Sequence, residues 1–388
     1  MSLLTEKEIK EQLDYCIKQV DKGIERYRYG FFPARSCASR YDCIYNGGWT
    51  NGFWTAMVLL AYEMTGDEKY KAVVLDHLNS YRERLLNKFS VDHHDLGFEY
   101  SLSCVSAYKI LGIELAKDTA IMAADFLCER FVEPGGYIKP WSSLDDPEEN
   151  RIIVDTYLNL PLLFWASEVS GNEKYRNIAI KHLETSVDIL VREDGRAYHT
   201  FMMELKYGNP IEPRVDQGYA NDSVWSRGQA WVIYGLALAY SYTGDEKLAA
   251  VQKKAANKFI ELLPSDNIPA WDMVFTNPKI LKDTSAAVIA ACGMLEMNKL
   301  DKNHPDCEKW TNKVHDMLRE LWKNHCTNVS LHRTRQFRQL QKRCVVEESV
   351  LKIRPDRWAL FCSSDRPVSE KQRFPKHWQR KCLVRKKL

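Results

Sequence analysis

Thr65-Gly66-Asp67-Glu68-Lys69-Tyr70 returns as Ser170-Gly171-Asn172-Glu173-Lys174-Tyr175 and again as Thr243-Gly244-Asp245-Glu246-Lys247-Leu248. In each copy a glycine suits the left-handed conformation that closes a helix, and an Asp or Asn suits the cap of the next one. Before the first copy, Asn51 to Met64 (NGFWTAMVLLAYEM) is apolar nearly all round; after it, Tyr70, Val74, Leu78, Tyr81 and Leu85 form a single stripe. A helix apolar on every side has to be enclosed by others, whereas a one-sided helix belongs on the outside. The turn therefore joins an inner helix to an outer one, and its recurrence marks a repeat of αα-hairpins.

Outward from these turns the alternation continues. Further all-round apolar segments lie near 101–112, 155–169, 224–242 and 284–297, and further amphipathic ones near 114–131, 173–191, 245–263 and 305–323. A first amphipathic helix opens with the capping-box pair Thr5 and Glu8 and carries Ile9, Leu13, Ile17, Val20 and Ile24 on one stripe. No convincing period-2 pattern predicts strands between the helices. The expectation is an all-α protein, an (α/α)6 toroid of six hairpins, with six outer helices but five inner ones before residue 325. The missing inner helix would have to come from the residues beyond.

The chain has 388 residues and is 45% hydrophobic and 28% charged, which excludes a mostly disordered protein. No apolar run approaches the roughly 20 residues of a membrane helix. The start, MSLLTEKEIKEQ, lacks a basic region followed by an apolar one, and the 11 cysteines show no CxxC or zinc-ligand spacing. Reduced, buried thiols in a cytoplasmic protein are the expectation.

The formal charge of +3 hides an asymmetry: residues 326–388 hold 17 Lys+Arg against 5 Asp+Glu, leaving 38 against 47 in the first 325. The acidic body argues against a nucleic-acid partner. The division is a barrel over 1–325 and a basic, Cys-containing tail over 326–388. HRTRQFRQLQKRC and PKHWQRKCLVRKK offer no segment apolar all round. The tail reads either as an arm for an anionic polymer or as a frame disrupted near Asn324 to Asn328 and not selected to fold.

No GxGxxG, Walker loop, HExxH or GxSxG is present. Polar residues at the ends of inner helices stand out instead, where a barrel opens into a pocket. In Val91-Asp92-His93-His94-Asp95-Leu96-Gly97-Phe98-Glu99-Tyr100, Asp95 is a helix cap or a pocket carboxylate; three adjacent ligands cannot converge on a metal without a special loop. In Ile152-Ile153-Val154-Asp155-Thr156-Tyr157 an apolar run delivers a carboxylate to a helix start, as an N-cap or as a desolvated acid of raised pKa. Arg227, in Asp222-Ser223-Val224-Trp225-Ser226-Arg227-Gly228-Gln229-Ala230-Trp231, is a buried guanidinium that needs either a structural Asp or an anionic ligand. Trp49 and Trp54, in NGGWTNGFW, belong to the core or to a sugar platform.

Together NGGWTNGFW, HHDLGFEY, VDTYLNLPLLFWA, YHTF and NDSVWSRGQAW resemble the unsaturated glucuronyl hydrolases of glycoside hydrolase family 88, over about residues 8 to 323. The family's last inner helix finds no match after His325. The resemblance implies a six-hairpin barrel that hydrolyses unsaturated uronic-acid disaccharides left by polysaccharide lyases, with no cofactor or metal. By motif, Asp155 would be the general acid/base and Asp95 its assisting carboxylate, whose charge would keep Asp155 protonated. His199, Gln217, Arg227 and Trp231 would bind the uronate, and Trp49 would line the subsite of the unsaturated sugar. The alternatives are an unsaturated rhamnogalacturonyl hydrolase, a sugar epimerase using His94 and His199, or an inactive carbohydrate-binding barrel.

Overall fold

The computed structural model describes residues 4–326, apart from 28–29, 38–39 and 278. The tail therefore lies outside the described residues from 327 onward, and with it both readings of that segment and the sixth inner helix. In chain order the helices are α1 (Glu6–Arg26), α2 (Asn51–Thr65), α3 (Glu68–Leu86), α4 (Leu96–Tyr100), α5 (Ser106–Leu111) and α6 (Glu114–Cys128). They continue with α7 (Pro161–Ser170), α8 (Glu173–Leu190), α9 (Ser226–Thr243), α10 (Glu246–Leu262), α11 (Thr284–Leu300) and α12 (Cys307–Cys326).

Inner elements are α2, the composite α4–α5, α7, α9 and α11; outer ones are α1, α3, α6, α8, α10 and α12. The six outer and five inner elements read from hydrophobic patterning are thus present among the described residues, and the toroid is the observed architecture. Burial follows the patterning: Ala230 to Leu236 of α9 are all buried, on every face of the helix, while α10 buries only one stripe, including Leu248, Ala255 and Phe259.

The repeated turn forms the same network three times. Gly66, Gly171 and Gly244 adopt φ of +69°, +70° and +65°. Asp67, Asn172 and Asp245 accept from the backbone N–H two residues on, at 3.0, 3.1 and 2.9 Å. Outer helices are stapled as well, since Tyr70 donates to Asp21 and Tyr175 to Asp125, both at 2.8 Å.

The second inner element is irregular. Between α4 and α5 the chain widens into a π-helical turn, Ser101–Val105, where the Ser103 hydroxyl donates to the Glu99 carbonyl at 2.5 Å. Such wide turns often accompany functional sites.

Strands, not expected from the patterning, form three small antiparallel sheets in the connections. β1 (Phe31–Cys37) pairs with β2 (Arg40–Tyr45), β3 (Phe131–Val132) with β4 (Tyr137–Ile138), and β6 (Thr200–Met203) with both β5 (Arg151–Ile153) and β7 (Pro210–Arg214). Most are too short for alternation to register. The last sheet matters most, because β5 leads directly into Asp155.

Candidate active site

Asp155 sits in a 3-10 turn, Val154–Leu158, that follows β5. Val154 donates to the His199 carbonyl at 3.0 Å, so the β5–β6 ladder brings the Asp155 and His199 segments together. Asp155 caps no α-helix: α7 starts with Pro161 and its cap residue, Leu160, makes no side-chain bond. Oδ2 of Asp155 is buried without a hydrogen-bond partner. Asp95 flanks the start of α4, and its side chain makes no capping bond either. Its carboxylate lies 3.4 Å from His94 Nε2 and 3.8 Å from His93 Nδ1.

A glycine fixes the distance between the two acidic segments. A Cβ on Gly97 would lie 2.3 Å from the carbonyl oxygen of Asn159 and 2.4 Å from its Cα, so only a bare backbone allows this approach. Asn159 completes the joint: its Oδ1 accepts from Phe98 N at 2.8 Å, and its Nδ2 donates to the Asp155 carbonyl at 3.4 Å.

Both carboxyls hold their protons more tightly than usual. Burial pushes Asp155 up from 3.8 to about 6, although the Arg227 guanidinium and the Trp231 indole N–H pull it down. Asp95 is raised well above the ordinary range, by burial first, then by the charges of Asp155 and Glu99, with the Asn159 amide opposing. The Asp155 charge pushes Asp95 up, while the Arg227 guanidinium pulls Asp155 down, so the two acids face different charges.

Behind Asp95 lies a buried ion pair, Arg84 to Glu99 at 2.5 Å, with neither side chain more than 1% exposed. Arg84 also donates to the Ser90 carbonyl at 2.7 Å and sits 3.0 Å from His93 Nε2. Burial nonetheless raises Glu99 to about 7.

Arg227 meets a structural aspartate, one of the two partners expected for it. It donates to Asp283 at 2.9 Å and to Gln217 Oε1 at 3.0 Å, and its guanidinium stacks 4.6 Å from the Trp225 ring centre. Asp283 caps α11, accepting from Ala286 N and the Ser285 hydroxyl. His199 is also buried. Its Nδ1 accepts from Asp216 N at 3.0 Å, so the ring proton is on Nε2, which has no partner. Burial, then Arg227 and Arg151, lower its pKa to about 3, and the ring is neutral.

Of the two tryptophans, Trp49 is 39% exposed and Trp231 is fully enclosed. Phe98 joins them, 6.3 Å from Trp49 and 5.1 Å from Trp231. Trp49 is thus open to solvent, whereas the enclosed Trp231 bears on Asp155 through its N–H.

The structure thus gathers Asp155, Asp95 and Trp231 into one cluster and His199, Gln217 and Arg227 into an adjoining one, linked by the influence of Arg227 on Asp155 and His199. Asn159, Glu99, Arg84 and Asp283 escaped the sequence reading. Asn159 carries a usable signal, a lone amide four residues after Asp155 in the apolar run VDTYLNLPLLF. Asp283 carries none, being 56 residues from Arg227. Among the described residues, no group of three or more His, Cys, Asp or Glu side chains is arranged to hold a metal ion, and no helix is long and apolar enough to cross a membrane.

Residues 24–267 match the family model described as Glycosyl Hydrolase Family 88. The chain is 41% identical over 292 residues to an unsaturated glucuronyl hydrolase of Bacillus sp. (strain GL1), covering 74% of this chain and 78% of that one. It is 39% identical over 328 residues to an unsaturated chondroitin disaccharide hydrolase of Streptococcus agalactiae serotype III, covering 84% and 82%. A crystal structure of unsaturated glucuronyl hydrolase from Streptococcus agalactiae superimposes with a TM-score of 0.81 at 39% identity, covering 84% of this chain and 83% of that one. A toroid of hairpins, a buried pair of acids where its inner elements begin, and these relatives lead to one conclusion: the chain belongs to glycosyl hydrolase family 88, as a glycoside hydrolase of the unsaturated glucuronyl hydrolase type.

Proposed function

We propose that this chain hydrates the C4=C5 double bond of 4,5-unsaturated glucuronyl disaccharides, with Asp155 as the general acid and base and Asp95 as its proton-holding companion. The observation that carries the assignment of roles is the Asp155 carboxyl itself, buried, unpartnered at Oδ2 and raised to about 6. Such a group gives up a proton near neutral pH, as vinyl-ether hydration demands.

Arg227 and Gln217 receive the uronate carboxylate, and the neutral His199 offers its Nε2–H as a further donor. An anion on Arg227 weakens the pull of that guanidinium on Asp155. Binding thus raises the affinity of Asp155 for the shared proton at the moment it is needed. Asp155 transfers the proton to C4, and the positive charge that develops is shared by C5 and the ring oxygen. Water adds at C5, giving its proton to the Asp155 carboxylate. The resulting hemiketal opens to a ketone at C5, and the hemiacetal left at C1 collapses and releases the second sugar. No anomeric substitution occurs, so the separation of the acids carries no message about inversion or retention.

The names of the relatives favour a glucuronyl over a rhamnogalacturonyl substrate, and that of the streptococcal one favours chondroitin disaccharides. A cytoplasmic location is supported by Cys104 and Cys128, which stand as buried free thiols raised to about 12. The test is the ultraviolet absorbance of the conjugated double bond in a lyase-generated chondroitin disaccharide. Absorbance should decay, and the basic limb of kcat should lie at higher pH than that of kcat/KM, which reports the free enzyme. Persistence of the double bond during turnover would overturn the hydration reading.

A further inference from the structure

We propose that Asn159 is a positioning residue for the reaction, a neutral clip that holds the Asp95 and Asp155 segments in one geometry by bonding to the backbone of both. The proposal rests on the reading of Asp95 and Asp155 as the reacting pair.

Three observations carry it. Asn159 closes the 3-10 turn that bears Asp155, its N–H donating to the Thr156 carbonyl at 2.8 Å, and its side chain is enclosed in a residue only 1% exposed. Oδ1 accepts from Phe98 N, three residues after Asp95, at 2.8 Å. Because a backbone N–H can only donate, this bond fixes the amide orientation and turns Nδ2 toward the acids. There Nδ2 meets the Asp155 carbonyl at 3.4 Å and favours the ionised form of Asp95. Finally, the backbone of Gly97 packs directly on that of Asn159, so the two segments meet where the amide bridges them.

Only asparagine meets all these demands. Aspartate would add a third carboxylate beside two. Leucine would strand the buried Phe98 N–H, and alanine would leave both partners unmet. The other charges facing the pair are Glu99 on α4, Arg84 on α3 and Arg227 on α9, with His93 and His94 held neutral by burial. None of these charged groups is hydrogen-bonded to Asn159, so a change at 159 reaches the acids through the Phe98 N–H and the Asp155 turn.

The experiment compares kcat, KM and the pH profile of the full chain with those of Asn159→Ala and Asn159→Asp, on an unsaturated chondroitin disaccharide. Loss of a hydrogen bond to a charged group predicts a fall in kcat of roughly 10- to 100-fold for Asn159→Ala, with KM changed less than about threefold. Its basic limb should move up by on the order of one pH unit, since the Asp95 carboxylate has lost a donor. Asn159→Asp should lose more at neutral pH and regain activity on acidification, when the new carboxyl is protonated and again both donates and accepts. Should Asn159→Ala fail to fold, that acid rescue remains the readout.

Wild-type kcat and an unshifted profile in Asn159→Ala, or activity of Asn159→Asp independent of pH, would overturn the inference. Asp95→Asn and Asp155→Asn, assayed alongside, separate the two claims. If they are inactive while Asn159→Ala is normal, only the clip fails; if they retain full turnover, the reading of the acids fails.

Discussion

Replacing Asp155 by asparagine should slow the enzyme and strengthen its fold together. The side chain keeps its shape but can no longer ionise, so the substitution imitates the protonated acid. In the folded protein burial raises this carboxyl from 3.8 to about 6. A group whose folded-state pKa is raised adds stability at low pH and loses it as pH climbs toward the folded value. Wild type therefore carries a penalty that grows between about pH 4 and pH 6 and levels off above, reaching about 2–3 kcal/mol at pH 7 and under about 1 kcal/mol at pH 4. The variant carries none. With an unfolding entropy of ~2.1 cal/mol/K per residue over about 320 residues, the gain in Tm at pH 7 is about 3–4 °C. Melting curves of both proteins at pH 4 and pH 7 measure it, and kcat should fall by roughly 10²–10⁴-fold in parallel. An equal Tm difference at both pH values, or none at pH 7, would show that the carboxyl is not desolvated and would remove the basis for its acid role.

Two further substitutions probe the frame around the acids. Arg227→Ala should raise KM more than it lowers kcat, but it also removes the guanidinium from Asp283, only 3% exposed, so a stability loss of up to roughly 3 kcal/mol should appear in a denaturant titration; adding Asp283→Asn should restore much of it. An unchanged midpoint in Arg227→Ala would argue that the pair contributes little. Gly97→Ala forces the Asn159 backbone away from a Cβ otherwise 2.3 Å distant, and displacement of this order predicts a loss of up to roughly 100-fold in kcat. Gly66→Ala, which meets nothing within 4 Å but has a φ of +69°, should cost about 1 kcal/mol in a melt and leave kcat alone.

Legibility followed the range of the interactions. The turns at 65–70, 170–175 and 243–248 are closed by residues within a few positions of one another, so both ring membership and hairpin count could be read from the chain. Asp155 stood out for the same reason, an acid at the end of a local apolar run. What decides its chemistry is not local. Asn159 meets Phe98 across 61 residues, and Arg227 meets Asp283 across 56. The short strands β5 and β6 that set Asp155 beside the His199 segment are invisible to period-2 patterning. Which charges face each acid, Arg227 for Asp155 and Glu99 with Arg84 for Asp95, is likewise set by the packing of separate elements and is contained in no motif.

That dependence explains why the site lies where the inner elements begin. A hairpin toroid forces its inner segments to be apolar all round, so any carboxyl delivered there by an apolar run loses water and gains a raised pKa without a dedicated device. Desolvation alone, however, yields only two reluctant acids. Control needs fixed charges at unequal distances, and those must be partnered or they would destabilise the ring. Arg84 with Glu99 and Arg227 with Asp283 meet that condition, each pairing residues from different elements of the barrel. In the proposed reaction a substrate carboxylate on Arg227 weakens the pull of that guanidinium on Asp155 and raises the acid's affinity for a proton. Under that proposal substrate binding and acid activation are one electrostatic event, so the basic limb of kcat, rather than that of kcat/KM, is its sharper measure.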